Sequence, residues 1–445
     1  NTELYFSDST INNICGTINI YESLDFELLK KTLNIIIEKN DIFHTNFSIK
    51  NGIAFQSFDN KVNGEIKIIE LESSDNLSKL EQEIMLHKFD ILNNDLFSVC
   101  IFKYPDLTGG VIFNIHHIIS DSWTLGLIAK QIVSTYNSLA NNTDLTEETY
   151  SYVDYINAEK KYVESPKFEK DKTFWDEYLK KLPDPITIPK KIGKNNNLIS
   201  STAKRLTFEL NTDFVSNLDA FCREEKISIF NFFMAMYSIY VGRINNSNDF
   251  IIGTPILNRV NQAQKNTMGM FINTIPVRIN YKDTDEFSNF INNLSVSFTS
   301  IFRHQKYSYQ YILEDLRKSN SKIPNLYNVL LSYQITKVST DYDMKYSTNW
   351  NFNGNIGNDF DIHLFDLNDT GKINIAYDYN SSKYTDKDIS CIHDRILYMI
   401  SQVLENPTIY IKDISITPTE ELNEILELSE NNDACYPSNS TVVDL

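Results

Sequence analysis

The sequence predicts a mixed α/β protein built from two halves of similar size and rhythm. Short apolar runs with strand-like alternation recur along the chain, and amphipathic helical segments follow them in both halves. The length of 445 residues exceeds the usual size of one domain and leaves room for two cores. We therefore expect two related α/β units, without a residue-level repeat between them.

Strands and helices alternate through the first half. Residues 17–24 begin with period-2 apolarity, which predicts a strand, and residues 25–41 repeat leucine and isoleucine at helical spacing behind Asp25, a candidate N-cap. Further strands are predicted at 41–47, 53–58, 65–71, 97–104 and 111–117, and further helices at 77–90 and 123–140. The run at 111–117 is almost entirely apolar, so we expect it to be buried on both faces.

The character of the sequence changes between Tyr150 and Ser201. A charged helix is predicted at 167–182, and a stretch rich in proline, asparagine and lysine without periodicity follows it. Beyond it we predict a strand at 203–210 and helices at 228–244, 285–304 and 381–406. The expected organisation is a first lobe at 1–175, a linker at 176–203, a second lobe at 204–415, and a linker into a following domain at 416–445. The abrupt ends predict a piece of a longer polypeptide.

Composition narrows the classes of function. The net charge is −18 and no basic patch stands out, which argues against nucleic acid or an anionic membrane as partner. The five cysteines are scattered with no CxxC pair, so neither a disulfide framework nor a zinc site is expected. No apolar run approaches the ~20 residues of a membrane helix, and no signal peptide opens the chain. We expect a cytoplasmic protein.

The segment from Asn114 to Trp123 carries the strongest chemical signal. His116 and His117 stand together at the end of the buried strand, Asp121 follows, and a helix begins at once. A metal site is disfavoured, because adjacent residues of a strand point to opposite faces and no third-ligand cluster is evident. Two interpretations stay open from these residues alone: two satisfied core histidines beside a helix cap, or an acid–base or positioning site facing a cleft.

The residues around this segment resemble a known family. HHIISDS at 116–122 resembles the HHxxxDG motif of the superfamily that contains chloramphenicol acetyltransferase and the condensation domains of nonribosomal peptide synthetases. Further stretches resemble condensation domains in the same order, namely IIEKNDIFHTNF, YSYVDYINAEKKY, TFWDEYLKKLP, IIGTPILNR with MGMFINTIPVRI, and RHQKYSYQYILEDL with NLYNVLLSYQ. The series covers nearly the whole chain, and the tail at 416–445 resembles the start of an adenylation domain.

The resemblance implies two chloramphenicol-acetyltransferase-like lobes arranged as a V-shaped pseudo-dimer with a tunnel between them. Amide bond formation would join a donor acyl or peptidyl thioester to the amine of an acceptor aminoacyl thioester. Phosphopantetheine arms of an upstream and a downstream peptidyl carrier protein would deliver both, next to an adenylation domain in the same polypeptide. The chain itself would bind no cofactor, and the excised domain would be a monomer.

Two alternatives stay open at this point. One is another activity of the same superfamily, either epimerisation or ester formation. The run after the motif aspartate and the adenylation-like tail favour a chain-elongating condensation domain over an epimerisation domain. The other alternative is a catalytically silent module that docks carrier proteins without chemistry.

The resemblance also assigns roles to single residues. His117 is expected to face the tunnel centre, where it orients the attacking amine or accepts a proton as the tetrahedral intermediate forms. His116 is expected to point away and, with Asp121, to support the loop. Asp121 is expected to pair with Arg278 and so to tie the two lobes together. Trp123 begins the helix and is expected to pack in the core.

Four more positions belong to this assignment. Ser122 replaces the motif glycine, whose lack of a side chain would let substrate pass close to the backbone. We therefore expect Ser122 to narrow the channel or to contact substrate. Asn258, Arg259 and Asn273 lie in the motif segments and are assigned to the tunnel wall, with roles in turns left open.

Overall fold

The structure is a computed structural model that describes residues 10–59, 62, 65–92, 95–145, 148–189, 202–319, 323, 325–335, 344–368 and 370–430. Two mixed sheets flanked by helices form the two halves, as the alternation of strand-like and helical segments predicts. The predicted linker at 176–203 and the predicted tail at 416–445 lie partly outside the described residues. The domain boundaries therefore stay a prediction.

The strands and helices follow in chain order. The strands are β1 (Asn13–Ile20), β2 (Asn46–Lys50), β3 (Ile53–Ser57), β4 (Lys67–Glu70), β5 (Phe97–Lys103), β6 (Gly109–His116), β7 (Ala203–Leu210), β8 (Asp249–Ile256), β9 (Asn273–Asn280), β10 (Val329–Ile335), β11 (Tyr346–Asn351), β12 (Phe360–Asp366) and β13 (Ile373–Asn380). The helices are α1 (Phe26–Lys39), α2 (Ser74–Met85), α3 (Ser122–Ala140), α4 (Tyr152–Val163), α5 (Pro166–Tyr178), α6 (Thr212–Glu224), α7 (Ile229–Asn245), α8 (Gln262–Lys265), α9 (Phe287–Phe302), α10 (Tyr309–Ser319), α11 (Asp386–Glu405) and α12 (Thr419–Glu430).

The first sheet has the order β11-β1-β6-β5-β4. Its central strand β6 is buried at every position, which confirms the prediction for residues 111–116 of the apolar run, whereas His117 lies beyond the strand and is half-buried. The edge strand β11 comes from the second half of the chain and pairs antiparallel with β1. A strand exchanged in this way joins the two halves by backbone hydrogen bonds, and the sequence did not predict it.

The second sheet has the order β7-β13-β12-β10-β8-β9. Its strand β10 runs parallel to both neighbours, β12 and β8, whereas the other pairs in the sheet are antiparallel. The side chains at alternate positions of β12 and β13 face opposite sides of the sheet. One side packs on the helical core, and the other side bears charged and polar residues.

Most predicted elements are present, with shifts at their ends. Asp25 caps α1, since its side chain accepts a hydrogen bond from the Leu28 amide, as predicted. The strand predicted at 41–47 instead opens with a turn of 3-10 helix at Asp41–His44, and the helix predicted at 77–90 ends at Met85. Within the predicted linker, Leu179 and Ile186 are buried in the core of the second sheet.

The helices of the described part of the chain are short or polar compared with membrane spans. No single helix there is long and apolar enough to cross a membrane. One pair of helices, α6 and α7, meets the criterion of length and composition only jointly, and the two are bent by 98° at their junction.

Candidate active site

The paired histidines lie where β6 ends. His116 is the last residue of the strand and is buried, and its Nδ1 accepts a hydrogen bond from the Ile118 amide at 3.1 Å. His117 begins the loop, and its amide donates to the Asn12 carbonyl at 2.7 Å. The strand end therefore places the two imidazoles in different surroundings, one inside the wall and one at the edge of a cavity.

Asp121 caps α3 and anchors the histidine loop. Its Oδ1 accepts hydrogen bonds from the amide and the hydroxyl of Thr124, each at 3.0 Å, which is the geometry of an N-cap. Its Oδ2 accepts from the Phe271 amide at 3.1 Å, and Arg259 donates to both oxygens at 2.6 and 3.1 Å. Protein donors therefore occupy both carboxylate oxygens, and Asp121 has no position left for substrate.

Arg259 is the buried counter-ion of this carboxylate. Its side chain and that of Asp121 are both 0% exposed. Its other N–H groups donate to the carbonyls of Gln264 and Gly269 at 3.1 Å each, and its guanidinium lies 4.0 Å from the ring centroid of Phe271. A buried ion pair whose hydrogen bonds are all satisfied holds a loop in one position. Removal of one partner leaves an uncompensated buried charge, which destabilises the fold.

The predicted pair between Asp121 and Arg278 is wrong. Arg278 lies on β9 and donates to both carboxylate oxygens of Asp249 on β8, at 2.7 and 2.6 Å. Both partners of that pair are partly exposed, with 25% and 33% of their side-chain surfaces accessible. Register explains the difference, because Arg278 stands opposite Ile251 and reaches diagonally along the same pair of strands.

The three residues assigned to the tunnel wall, Asn258, Arg259 and Asn273, lie behind the cavity linings that the structure describes. All three are buried, and none of them lines a cavity described below. The Asn258 side chain donates to the Phe271 carbonyl at 3.2 Å, and the Asn273 side chain donates to the Gln305 carbonyl at 2.8 Å. These residues shape the loops behind the wall.

Residues 257–272, which we call the crossing segment, connect the second half to the histidine loop. Trp123 donates from Nε1 to the Lys265 carbonyl at 2.8 Å, and Tyr152 donates from its hydroxyl to the Met270 carbonyl at 2.9 Å. A Cβ at Gly269 would stand 2.3 Å from the Tyr152 ring, so only glycine permits this approach. The crossing segment thus fixes the start of α3 from the opposite half.

A cavity of about 260 Å³, here called the central cavity, opens between the two halves. His117 and Ser122 line it from the first half, and residues of β10, β12 and β13 line it from the second. The Nδ1 atom of His117 is buried and has no hydrogen-bond partner among the described residues. The interpretation of both histidines as satisfied core residues therefore fails for His117.

Ser122 stands where three cavities meet. It lines the central cavity, a narrow apolar cavity of about 40 Å³ beside β1 and α3, and a side cavity beside Trp123. Gln334 on β10 lines the same three. A side chain at the motif glycine position therefore borders the junction of these spaces, and its effect on the width of a channel stays a prediction.

Sequence reasoning missed the polar wall that lies across the central cavity. Arg205, Ser332, Asp361, His363 and Asp378 all line that cavity, on four different strands of the second sheet. We call these five residues the polar row. No contiguous motif marks them, and the only available signal was polar residues at alternate positions of otherwise apolar strands.

The described residues contain no group of three or more histidine, cysteine, aspartate or glutamate side chains arranged to hold a metal ion. The four cysteines that the structure describes are all free thiols. The chemistry available at the histidine loop is therefore that of an imidazole, a serine hydroxyl and the amides at the start of α3.

Comparison with known proteins identifies the family. The family model for the condensation domain matches residues 2–426. Surfactin synthase subunit 1 of Bacillus subtilis (strain 168) is 26% identical over 452 residues, which cover 100% of this chain and 12% of that protein. Gramicidin S synthase 2 of Aneurinibacillus migulanus is 22% identical over 437 residues, covering 97% of this chain and 10% of that protein. The chain thus spans only a small part of either relative.

Two solved structures of condensation domains have the same fold as this chain. The starter condensation domain of rhizomide synthetase, in an arginine-to-alanine mutant bound to C8-CoA, superposes with a TM-score of 0.82 at 17% identity, covering 93% of this chain and 94% of that one. The first condensation domain of the calcium-dependent antibiotic synthetase, bound to a substrate analogue, gives 0.78 at 13% identity, covering 93% and 95%. Two sheets, an exchanged strand, a histidine at an inter-half cavity and these matches make the chain a condensation domain of the nonribosomal peptide synthetase family.

Proposed function

We propose that the central cavity joins a donor acyl thioester to the amine of an acceptor aminoacyl thioester through an amide bond. The observation that carries this proposal is the ring of His117, whose buried Nδ1 is unpartnered among the described residues at a cavity lined by both halves. Two substrates that arrive from different directions need such a shared space. We further propose that carrier proteins deliver both on phosphopantetheine arms, and that the chain holds no cofactor of its own.

His117 serves mainly to orient the amine and to take up a proton late in the reaction. An α-amino group has a pKa of about 7.7–8.0, so roughly a tenth to a sixth of it is neutral at pH 7 without help. The attack creates a positively charged nitrogen, and an imidazole within hydrogen-bond distance accepts its proton as the tetrahedral intermediate forms. Collapse of the intermediate then breaks the C–S bond, and the donor's thiolate leaves and takes up a proton as the thiol. Asp121 takes no part in this transfer, because Arg259 and backbone amides occupy its oxygens.

The start of α3 supports the developing oxyanion. The Thr124 amide is committed to Asp121, so the candidate donors of this first turn are the groups of Ser122, which borders the cavity. A helix N-terminus carries partial positive charge that favours an anion at this position.

A mass-spectrometric assay with loaded carrier proteins tests this function. We expect the wild-type domain to form the amide on the acceptor carrier, and His117→Ala to slow its formation by about 10²–10⁴-fold, the usual contribution of a general acid or base. An inverted donor stereocentre without an amide product would instead support the epimerisation alternative. Carrier binding with no product from either protein would support the silent docking module.

The matched control is His44→Gln, a histidine outside the cavity whose ring contacts the Glu38 carbonyl. It should keep wild-type turnover. His117→Ala should also keep the thermal unfolding temperature within a few degrees, because no side-chain hydrogen bond of His117 Nδ1 is lost. Loss of product in a variant that has unfolded would not count for the proposal, so both measurements are made on the same preparation.

We also propose that the donor is a linear apolar acyl group. The apolar cavity is lined by Gly16, Ile18, Phe113 and Leu125, among others, and it meets the central cavity at Ser122 and Gln334. That cavity holds only about 40 Å³ as it stands, so it admits the first methylenes of a chain, and burial of each is favourable by ~0.8 kcal/mol. The rhizomide synthetase neighbour, bound to C8-CoA, is a starter condensation domain and supports this interpretation by its ligand.

The dependence of acyl transfer on the length of the acyl chain tests the proposed donor. A Cβ added at Gly16 would stand 3.0 Å from a methyl of Leu125, so Gly16→Val should fill the cavity and Gly16→Ala should fill it only slightly. We expect Gly16→Val to lose octanoyl transfer at least tenfold while acetyl transfer persists. Equal losses for both donors, or none for octanoyl, would exclude the apolar cavity as the acyl site.

A further inference from the structure

The polar row crosses the second sheet on the wall opposite His117. Asp378 stands directly opposite Arg205 on β7 and directly opposite Asp361 on β12. Ser332 on β10 stands directly opposite His363 on β12. Because these positions share one face of the sheet, their side chains meet at the surface of the central cavity.

Most of the polar row is satisfied within itself. Arg205 donates to both oxygens of Asp378, at 2.7 and 2.8 Å, and its guanidinium lies 4.4 Å from the Trp350 ring centroid. His363 places Nε2 3.2 Å from Oδ2 of Asp378, and its Nδ1 lies 2.7 Å from the Ser332 hydroxyl. The cation, the second carboxylate and the imidazole are thus engaged with one another.

Asp361, the remaining member of the polar row, has a carboxylate oxygen that no donor in the described part of the chain satisfies. Its Oδ1 accepts one hydrogen bond, from the Asn358 side chain at 2.8 Å, whereas no donor among the described residues reaches its Oδ2. An ionised carboxylate offers about four acceptor positions, so most of its capacity is unused. Arg205, the one arginine or lysine among the described residues that line the central cavity, is already paired with Asp378.

The surroundings of Asp361 make the ionised form of its carboxylate unfavourable. The pKa of Asp361 is raised to about 6, mainly by burial and also by the charge of Asp378, while His363, Asn358 and Arg205 lower it only in part. The carboxylate is therefore ionised at pH 7 without an ion pair of its own. Asp361 is half-buried, and a partly desolvated charge without a partner destabilises a fold, an exception that occurs where a ligand supplies the partner.

We propose that Asp361 binds the ammonium group of the acceptor substrate and positions its amine inside the central cavity. The identity of that substrate rests on the proposed function, but the binding of an ammonium cation does not require that any amide forms. The cation has two sources, the α-ammonium group of the aminoacyl thioester or the side-chain ammonium group of a basic residue. Asp361 is a positioning residue in this proposal. The ammonium group passes a proton to the Asp361 carboxylate or to water before the attack, because only the neutral amine is a nucleophile, and His117 on the other wall remains the group nearest the chemistry.

The test measures the binding of acceptor analogues in the absence of any donor thioester. The probes are leucyl-N-acetylcysteamine thioester and its des-amino counterpart, 4-methylpentanoyl-N-acetylcysteamine, titrated into the whole chain by calorimetry. We expect the wild-type protein to prefer the amine by about tenfold at pH 7, because a charge-assisted hydrogen bond contributes at least that much. Asp361→Asn should reduce the preference below twofold and leave the affinity for the des-amino probe unchanged.

Two variants serve as controls. Glu209→Gln removes an exposed carboxylate of the same charge that pairs with Lys372 and does not line the central cavity, and it should keep the tenfold preference. Asp361→Glu keeps the charge and should retain part of the preference. A wild-type protein that binds both probes equally, or an Asp361→Asn variant that keeps the full preference, would overturn the proposal.

Two further probes separate the sources of the cation. Glycyl-N-acetylcysteamine carries only an α-ammonium group, and Nα-acetyl-lysyl-N-acetylcysteamine carries only a side-chain ammonium group. Loss of affinity in Asp361→Asn for the first assigns the α-ammonium group, and loss for the second assigns a basic side chain. If the wild-type protein prefers the amine probe but forms no amide, the proposed function is wrong and the ammonium site is unaffected.

The pH dependence of the wild-type protein gives a measurement that needs no variant. The ammonium preference should fall below pH 6, where Asp361 becomes protonated, and above about pH 8, where the α-amine loses its proton. Arg205, Asp378, His363 and, across the cavity, His117 are the other charged or titratable groups that face Asp361. If the fall below pH 6 persists in Asp361→Asn, a histidine causes it and the assignment to Asp361 is wrong.

Discussion

The two walls of the central cavity differ in how their charged side chains are neutralised. On the first wall, Asp121 and Arg259 neutralise each other behind the surface, and His117 faces the cavity. On the second wall, Arg205 and Asp378 form a similar pair at the surface, but Asp361 beside them has no cation of its own among the described residues. The comparison shows that the conspicuous motif carboxylate is structural, whereas an inconspicuous one is available to a ligand.

The largest effect should follow from breaking the buried pair of the first wall. Asp121→Asn keeps the size of the side chain but leaves the Arg259 guanidinium buried without its counter-ion, which costs about 3–5 kcal/mol. Urea denaturation should show this loss in the free energy of unfolding. A loss below about 1 kcal/mol would mean that the pair does not hold the loop.

The second wall should respond in the opposite direction. The folded-state pKa of Asp361, about 6, lies above the ordinary aspartate value of 3.8, so ionisation penalises the folded state. The penalty is absent below pH 4 and complete above pH 6, and two pKa units correspond to about 3 kcal/mol as an upper bound. Asp361→Asn should therefore stabilise the protein at pH 7 and have no effect near pH 4. Destabilisation at pH 7 would show that Asp361 is structural.

A smaller effect should follow at Ser122. Ser122→Gly restores the family residue at the junction of the three cavities and removes a side chain from the first turn of α3. We expect a loss of stability of about 0.5–1 kcal/mol and a faster reaction with bulky donors than with acetyl. Equal acceleration for all donors would place the serine in the chemistry rather than in the channel.

The smallest effect should come from Arg278, whose partner was predicted wrongly from the sequence. Arg278→Gln breaks a partly exposed ion pair with Asp249, far from both walls of the cavity. Such pairs contribute about 0–1 kcal/mol, so stability should change by no more than that and amide formation should not change. A loss as large as that of Asp121→Asn would restore a structural role for Arg278 at the site.

The sequence predicted the features that depend on neighbouring residues. The cap at Asp25, the buried strand β6 and the histidine loop are all encoded within one short segment each. The resemblance also located the crossing segment. It did not give the partner of Asp121, because both Arg259 and Arg278 lie in the same motif region and only the three-dimensional path of that region distinguishes them.

Long-range features could not be predicted in this way. The strand β11 has serine or asparagine at alternate positions, and its partner β1 lies more than 300 residues away in the chain. The polar row comes from four strands, and it exists only because the register of the second sheet places its members side by side. Such a set has no sequence period, so neither alternation nor motif spacing reveals it.

A crystal structure with an unreactive amine-bearing acceptor thioester would test the division of roles between the two walls. We expect the amine nitrogen in the central cavity, within about 3 Å of the Asp361 carboxylate and within reach of His117 directly or through one water. A nitrogen bound in the side cavity, or a His117 ring shielded from the thioester by protein, would contradict this division.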